Sequence, residues 1–290
     1  MMRRLPRLPR LRGLAAGATA LLAATALVPA GAPGASAASR WAPAATAKIT
    51  PGVQMFTRGA QCTGNFVFTD RRGRVYVGYA AHCAGKGAAT DTDGCRTASH
   101  PIGTSVSFRR GAGLLSAGTT VGSGKLAYSS WATMRRLGTK NADACQYNDF
   151  ALVRVDNAHV RKVNPSVPHW GGPTGLATTP PAELTRVFSY GSSSLREGEL
   201  LSPKTGIVTG HAGRGWSHSV YTLTPGVPGD SGSGFLDANG KAFGTLSTVA
   251  VAPVPGENGL GDLAKELAFA QRHSGIAGLR LVKGTRPFTG

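Results

Sequence analysis

Acidic residues are scarce in this chain. Of 290 residues only 14 are Asp or Glu, against 32 Lys or Arg, and charged residues of both signs make up just 16%. So little charge beside 41% hydrophobic residues excludes a disordered chain and leaves apolar material for one or two cores. Cysteine is sparse too. There are four, none in C-x-x-C spacing, which argues against zinc-ribbon and thioredoxin-type readings. His211 and His218 stand near each other, but in a Gly/Ser-rich stretch read as a loop, with no carboxylate or cysteine nearby, so neither a metal nor a cofactor is expected. The cations are dispersed as Arg71-Arg72, Arg109-Arg110, Arg135-Arg136 and singles. No zinc-finger, RNA-binding or helix-turn-helix pattern accompanies them, so no specific nucleic-acid partner is expected. What is abundant is glycine, 41 residues, with 18 prolines. Glycine has no triplet period, so collagen is excluded, and this composition favours short strands joined by turns.

A single apolar run stands out, Leu14 to Val28, preceded by Arg3, Arg4, Arg7, Arg10 and Arg12 and followed by Ala35-Ser36-Ala37. It is shorter than the roughly 20 residues a membrane span needs, and it has the basic, apolar and small-x-small parts of a signal peptide. Residues 1–37 are therefore expected to be a signal peptide, 38–50 a loose leader, and the protein to be secreted, without a membrane span, as a monomer. The remaining net charge of +13 suits a solvated basic surface, and anionic wall polymers are conceivable partners. In an exported protein the even cysteine count favours two disulfides. Three connectivities exist for Cys62, Cys83, Cys95 and Cys145, of which the sequential pairing is preferred.

From Cys62 onward the chain alternates strand-like runs and turns. Asn65 to Phe68 and Arg74 to Tyr79 read as a hairpin leading into Ala80-Ala81-His82-Cys83. Further β-rich runs are Ile102 to Phe108, Phe150 to Val155, Leu184 to Tyr190, Gly206 to Thr209, Ser219 to Leu223 and Ala242 to Val251. Only Leu260 to His273 has helical spacing, with Leu263, Leu267 and Ala270 on one face. The proline- and glycine-rich residues 164–181 suit a crossover between two halves, 51–165 and 166–290. An all-β protein in two lobes with one terminal helix is expected.

Three local sequences carry chemistry: Ala80-Ala81-His82-Cys83, Asn148-Asp149-Phe150-Ala151-Leu152-Val153, and Gly229-Asp230-Ser231-Gly232-Ser233-Gly234. A serine hydroxyl needs an adjacent base to become a nucleophile. Imidazole is the suitable base near neutrality, and a carboxylate must hold it in one tautomer. Glycines around the serine let the backbone turn and aim N–H groups at an oxyanion. Asp143 and Asp156 compete with Asp149 for the acid role, but Asp149 alone directly precedes a β-rich run.

In that order the three motifs resemble the trypsin/chymotrypsin-type serine proteases, in particular their secreted bacterial branch, over residues 52–273. The order His, Asp, Ser differs from the subtilisin and α/β-hydrolase orders. The resemblance implies two packed six-stranded antiparallel β-barrels with a C-terminal helix, and an endopeptidase acting on proteins or peptides through an acyl-enzyme. It makes His82 the general base, Asp149 its orienting acid and Ser231 the nucleophile, with the N–H groups of Gly229 and Ser231 as oxyanion hole. Asp230 would fix the loop, and Ser247 would lie behind the acid. Cys62–Cys83 matches a bridge of the family, which leaves Cys95 with Cys145. Lys48-Ile49 superficially resembles an activation cleavage whose new N-terminus would pair with Asp230, although a plain tail is preferred. The resemblance places Pro225 at the base of the primary pocket and Val249 on its wall, so cleavage after small or medium apolar residues is expected. A protease-like binding protein without turnover, or an esterase on the same triad, are the alternatives.

Overall fold

The computed structural model describes residues 40–88, 91–196, 198–249 and 256–290. The expected signal peptide, 1–37, lies outside them. Among the described residues no helix is long and apolar enough to cross a membrane.

The first half contains β1 (Gln54–Thr57), β2 (Ala60–Thr63), β3 (Val67–Thr69), β4 (Val75–Tyr79), β5 (Ser105–Gly113), β6 (Ser116–Ser129), helices α1 (Ser130–Leu137) and α2 (Ala142–Tyr147), and β7 (Ala151–Val155). The second contains β8 (Gly175–Leu176), β9 (Arg186–Tyr190), β10 (Pro203–Ala212), β11 (Ser217–Thr222), β12 (Gly234–Leu236), β13 (Lys241–Val249), β14 (Asn258–Asp262), helix α3 (Leu263–His273) and β15 (Arg280–Leu281).

Each half closes on itself. In the first, the order is β15-β3-β4-β7-β6-β5-β1-β2. Because β2 and β3 are successive pieces of one run of chain, they join β1 to β4 and complete a six-membered ring. In the second, β12-β9-β10-β11-β14-β13 is closed by the β12–β13 pairing. This is the all-β, two-barrel architecture with a terminal helix that the resemblance implied. Closure leaves few free edges, and β4, read as a strand from its alternating β-branched and aromatic residues, is buried along its whole length.

Several features differ from expectation. Tiny β8 pairs parallel with β13, whereas the other pairings between the described strands are antiparallel. Helices α1 and α2 carry no long apolar period. They are short and held by caps: Ser129 accepts from Ala132 N–H, and Asn141 from Ala144 N–H. The segment after β14 returns to the first half. There Leu263, Leu267 and Ala270 join its core and β15 pairs with β3. Residues 42–50, expected to be loose, are tied down: Ala42 and Ile49 N–H donate to Val163 and Lys162 carbonyls, and Ile49 is buried.

The two disulfides are Cys62–Cys83 and Cys95–Cys145. The first ties β2 to the histidine turn, and the second ties the loop after that turn to α2. Both lock segments that flank His82. Titration of the denatured, unreduced protein with a thiol reagent should therefore find no reactive group; two or more would refute this pairing.

Candidate active site

His82 sits in a short helical turn, Ala81–Ala84, at the end of buried β4. Asp149 lies two residues before β7, which pairs with β4, so the sheet brings Asp149 and His82 together. Asp149 is buried and holds the histidine twice. Oδ1 accepts from His82 backbone N–H at 2.8 Å, and Oδ2 accepts from Nδ1–H at 2.6 Å. Ser247 Oγ donates to the same Oδ2 at 2.6 Å. Burial alone would push the His82 pKa down, but the Asp149 charge and hydrogen bond outweigh it and leave it raised. Burial alone would raise the Asp149 pKa, and the His82 charge with three hydrogen bonds, from the His82 ring, the Ser247 hydroxyl and the His82 backbone N–H, holds it below the ordinary value. With Nδ1 committed, Nε2 is the ring nitrogen left to take a proton. The rivals are engaged elsewhere, Asp143 with Arg214 and Asp156 with Ser123.

Backbone stitching brings the serine loop to this pair. Thr63 N–H donates to Ser231 C=O at 2.8 Å, and Gly232 N–H to Leu246 C=O at 2.7 Å. Gly232 has φ +89°, and a Cβ on it would fall 2.4 Å from Thr63 O and 2.8 Å from Ala80 N. Only glycine lets the chain after Ser231 pass this close to the segment between β4 and His82. Ser231 Oγ makes no hydrogen bond among the described residues.

The loop's peptides are aimed by their carbonyls. In a trans peptide C=O and N–H point oppositely. Pro228 C=O accepts from Ser193 Oγ at 2.5 Å, which directs Gly229 N–H the other way. Asp230 C=O accepts from Ser233 Oγ at 2.5 Å and Ser233 N–H at 3.0 Å, which does the same for Ser231 N–H. Neither N–H finds an acceptor among the described residues. Gly229, at φ +96°, is pinned further by Thr63 Oγ1 and Gln61 Nε2 on its own carbonyl.

Asp230 anchors the loop from inside. It is fully buried. Oδ2 meets Arg196 at 2.5 Å and Lys204 at 3.2 Å, and Oδ1 accepts from Ser193 N–H at 3.1 Å. The chain's own cations therefore occupy the place considered for a new N-terminus at Ile49, whose N–H is bonded to Lys162. Burial pushes the Lys204 pKa down against the pull of Asp230.

Pro225 C=O accepts from Arg196 at 2.6 Å and from Lys204 at 3.1 Å. Gly226 N–H donates to Asn258 Oδ1 at 2.9 Å, and buried Asn258 also reaches Val220 O and Thr222 Oγ1. A Cβ on Gly226 would meet Asn258 Oδ1 at 2.4 Å and Val249 Cγ2 at 2.9 Å. Pro225 and Val249 thus stand around one point, with Ser247 two residues away along β13. The sequence reading missed Asn258, Lys204, Arg196 and Ser193, whose contacts with the serine loop and pocket strands span 20 to 38 residues and leave no local sign.

The histidine pair needs correction. His211 and His218 lie on β10 and β11 rather than in a loop, with Nδ1 atoms 2.8 Å apart, and a carboxylate is close, His218 Nε2 to Asp262 Oδ2 at 2.9 Å. Among the described residues two groups have converging ligand atoms, Cys62–His82–Cys83 and Asp93–Cys95–Cys145, and both depend on sulfurs already bonded to each other.

No family model and no curated protein sequence matches the chain. Among solved structures, Protease A of Thermobifida fusca is similar at 16% identity and TM-score 0.49, over 81% of this chain and 99% of that one. The Nocardiopsis protease is similar at 20% identity and TM-score 0.46, over 80% and 98%. A Cellulomonas bogoriensis chymotrypsin is similar at 16% identity and TM-score 0.46, over 81% and 98%.

Replacing Asp230 by Ala would leave Arg196 and Lys204 buried without a counter-charge. Denaturant unfolding should show a loss of about 3–5 kcal/mol; a loss below about 1 kcal/mol would show that the pair contributes no more than a surface bridge.

Proposed function

We propose that this protein is a secreted serine endopeptidase working through an acyl-enzyme. The observation that carries the reading is Asp149 gripping His82 at two points beside a loop whose Gly229 and Ser231 N–H groups are aimed and free. In this mechanism Ser231 Oγ attacks the substrate carbonyl carbon as His82 Nε2 takes its proton. The oxyanion receives the two N–H groups. Collapse breaks the C–N bond, and His82 returns the proton to the leaving amine. Water then repeats the sequence on the ester and frees Ser231. Asp149 remains ionised throughout and stabilises the imidazolium. The two disulfides support an oxidising compartment, and the export-type segment at 1–37 supports secretion.

The pocket features favour small or medium apolar residues before the cut. Val249 and Asn258 crowd the space over Gly226, and Pro225 supplies no charge. The Asp230 carboxylate near Pro225 is already shared by two cations, Arg196 and Lys204, so no carboxylate there is left to pair with an incoming Arg or Lys. A peptide-library profile should peak at Ala, Val or Leu; one dominated by Arg or Lys would refute this assignment.

A fluorophosphonate probe should label the protein at Ser231, and Ser231→Ala should abolish labelling and cut kcat by about a millionfold. Because the base must be neutral and its pKa is raised, kcat/KM should climb with pH through a midpoint above about 6.5. Full activity at pH 4, or absence of labelling, would refute the reading. Ester turnover without peptide cleavage would instead favour an esterase.

A further inference from the structure

A second carboxyl stands directly behind the acid that holds His82. Glu266, in the first turns of α3, is fully buried. Its Oε1 accepts from the backbone N–H of Asp149 at 3.2 Å. The Thr245 hydroxyl lies beside it. The fit against β14 is tight, since a Cβ on Gly261 would fall 2.2 Å from Oε1. The carboxyl thus sits at the seam where Asp149, from the first barrel, meets β13 and β14 of the second.

The groups around it supply no cation. Asp149 and Asp262 are acids, and the Tyr128 hydroxyl on β6, whose own pKa is pushed up by burial and by Glu266, is buried and unpartnered among the described residues. Lys265, next in sequence, turns away to Trp216 and the Arg214 carbonyl. The nearest group able to carry positive charge is His82, on the far side of Asp149. Glu266 Oε2 has no hydrogen-bond partner among the described residues. A carboxylate in such a place would be buried without compensation, so the acid stays protonated. Desolvation above all holds its pKa well above the ordinary range; the Thr245 hydrogen bond is the chief opposing pull, and the charges of Asp149 and Asp262 add to the rise against the Asp149 N–H.

We propose that Glu266 is a positioning residue: a neutral carboxyl that fixes the peptide of Asp149 at the seam of the two barrels without adding a second negative charge beneath the histidine. This rests on the reading of Asp149 as the orienting acid. An ionised Glu266 would stabilise the imidazolium and hold the base protonated to higher pH, whereas a neutral one leaves that task to Asp149 alone.

The test compares Glu266→Gln, which keeps the acceptor and is neutral, with Glu266→Leu, which keeps the bulk and has no acceptor. Peptide cleavage is followed from about pH 5 to 10, together with fluorophosphonate labelling of Ser231. The Gln variant should hold kcat within about threefold and keep the acid-limb midpoint. The Leu variant should lose about tenfold in kcat at unchanged KM, because the Asp149 N–H is left unsatisfied, and its midpoint should fall as Asp149 loosens. A Leu variant with wild-type kcat and pH profile would reduce Glu266 to a packing role and overturn the proposal. A Gln variant whose midpoint drops would show that the native acid is charged, with the same effect. Should the Leu variant not fold, infrared spectroscopy decides: the carbonyl stretch of a protonated carboxylic acid is expected in the wild type at neutral pH and lost in the Gln variant, and its absence from the wild type overturns the proposal. If wild type is never labelled, the protease reading falls and this inference with it; if it is labelled and the Leu variant is unaltered, only the inference falls.

Discussion

The carboxylate of Asp149 is the contact on which the site depends. Its two oxygens receive three donors from two barrels: backbone and ring N–H of His82 from the first, and the Ser247 hydroxyl from the second. A buried carboxylate is costly unless hydrogen-bonded and faced by a group able to carry positive charge. Satisfying this one therefore requires β4, β7 and β13 to be in register with one another. Shifting β13 by one residue would turn Ser247 to the opposite face, and slipping β4 against β7 would carry His82 away from Asp149. The cost of burying the charge is thus also what ties the barrels' relative placement to the geometry of His82.

The serine loop follows the same logic with different partners. Ser193 and Ser233 take up the Pro228 and Asp230 carbonyls, which leaves the Gly229 and Ser231 N–H groups without an acceptor among the described residues. Thr63 and Gln61 hold the Gly229 carbonyl, whose peptide N–H, that of Asp230, donates to Val227 C=O. Asp230 holds the loop with two buried cations rather than with a chain terminus. A chain so poor in acids places three of them, Asp149, Asp230 and Glu266, within the elements that build one site.

Much of this was legible from local sequence. The β-branched and aromatic runs of β4 and β7 announced strands, and the motifs beside them, at 80–83 and 148–153, singled out His82 and Asp149. The glycine-rich turn announced Ser231. By contrast β6 is a 14-residue strand whose first half is largely exposed and built of Ser, Gly and Thr, so it shows no alternation. The return of α3 and β15 to the first barrel is a tertiary choice that no local pattern encodes. Lys204 and Asn258 are buried by distant partners. Glu266 was accessible in principle. Helical spacing puts it on the same stripe as Leu263, Leu267 and Ala270, and an acid on an apolar stripe signals a buried carboxyl.

The two acids at the seam bear on stability with opposite signs. Asp149, with its folded pKa lowered, stabilises the protein above its ordinary pKa of about 3.9, and this is lost as pH falls through the lower folded value. His82, with its pKa raised, stabilises below about 6.5, and this is lost as pH rises through the folded value. Glu266 behaves otherwise. Above about 4.3 the unfolded chain releases its proton while the folded chain must retain it, so the native state is disfavoured increasingly up to the folded pKa. At neutral pH this acid costs stability. A leucine of similar size would fill the same space at no such cost, so packing does not account for a carboxyl here. The backbone N–H of Asp149 does: buried at the seam, it needs an acceptor, and a neutral oxygen satisfies it while leaving the electrostatics of the histidine to a single carboxylate.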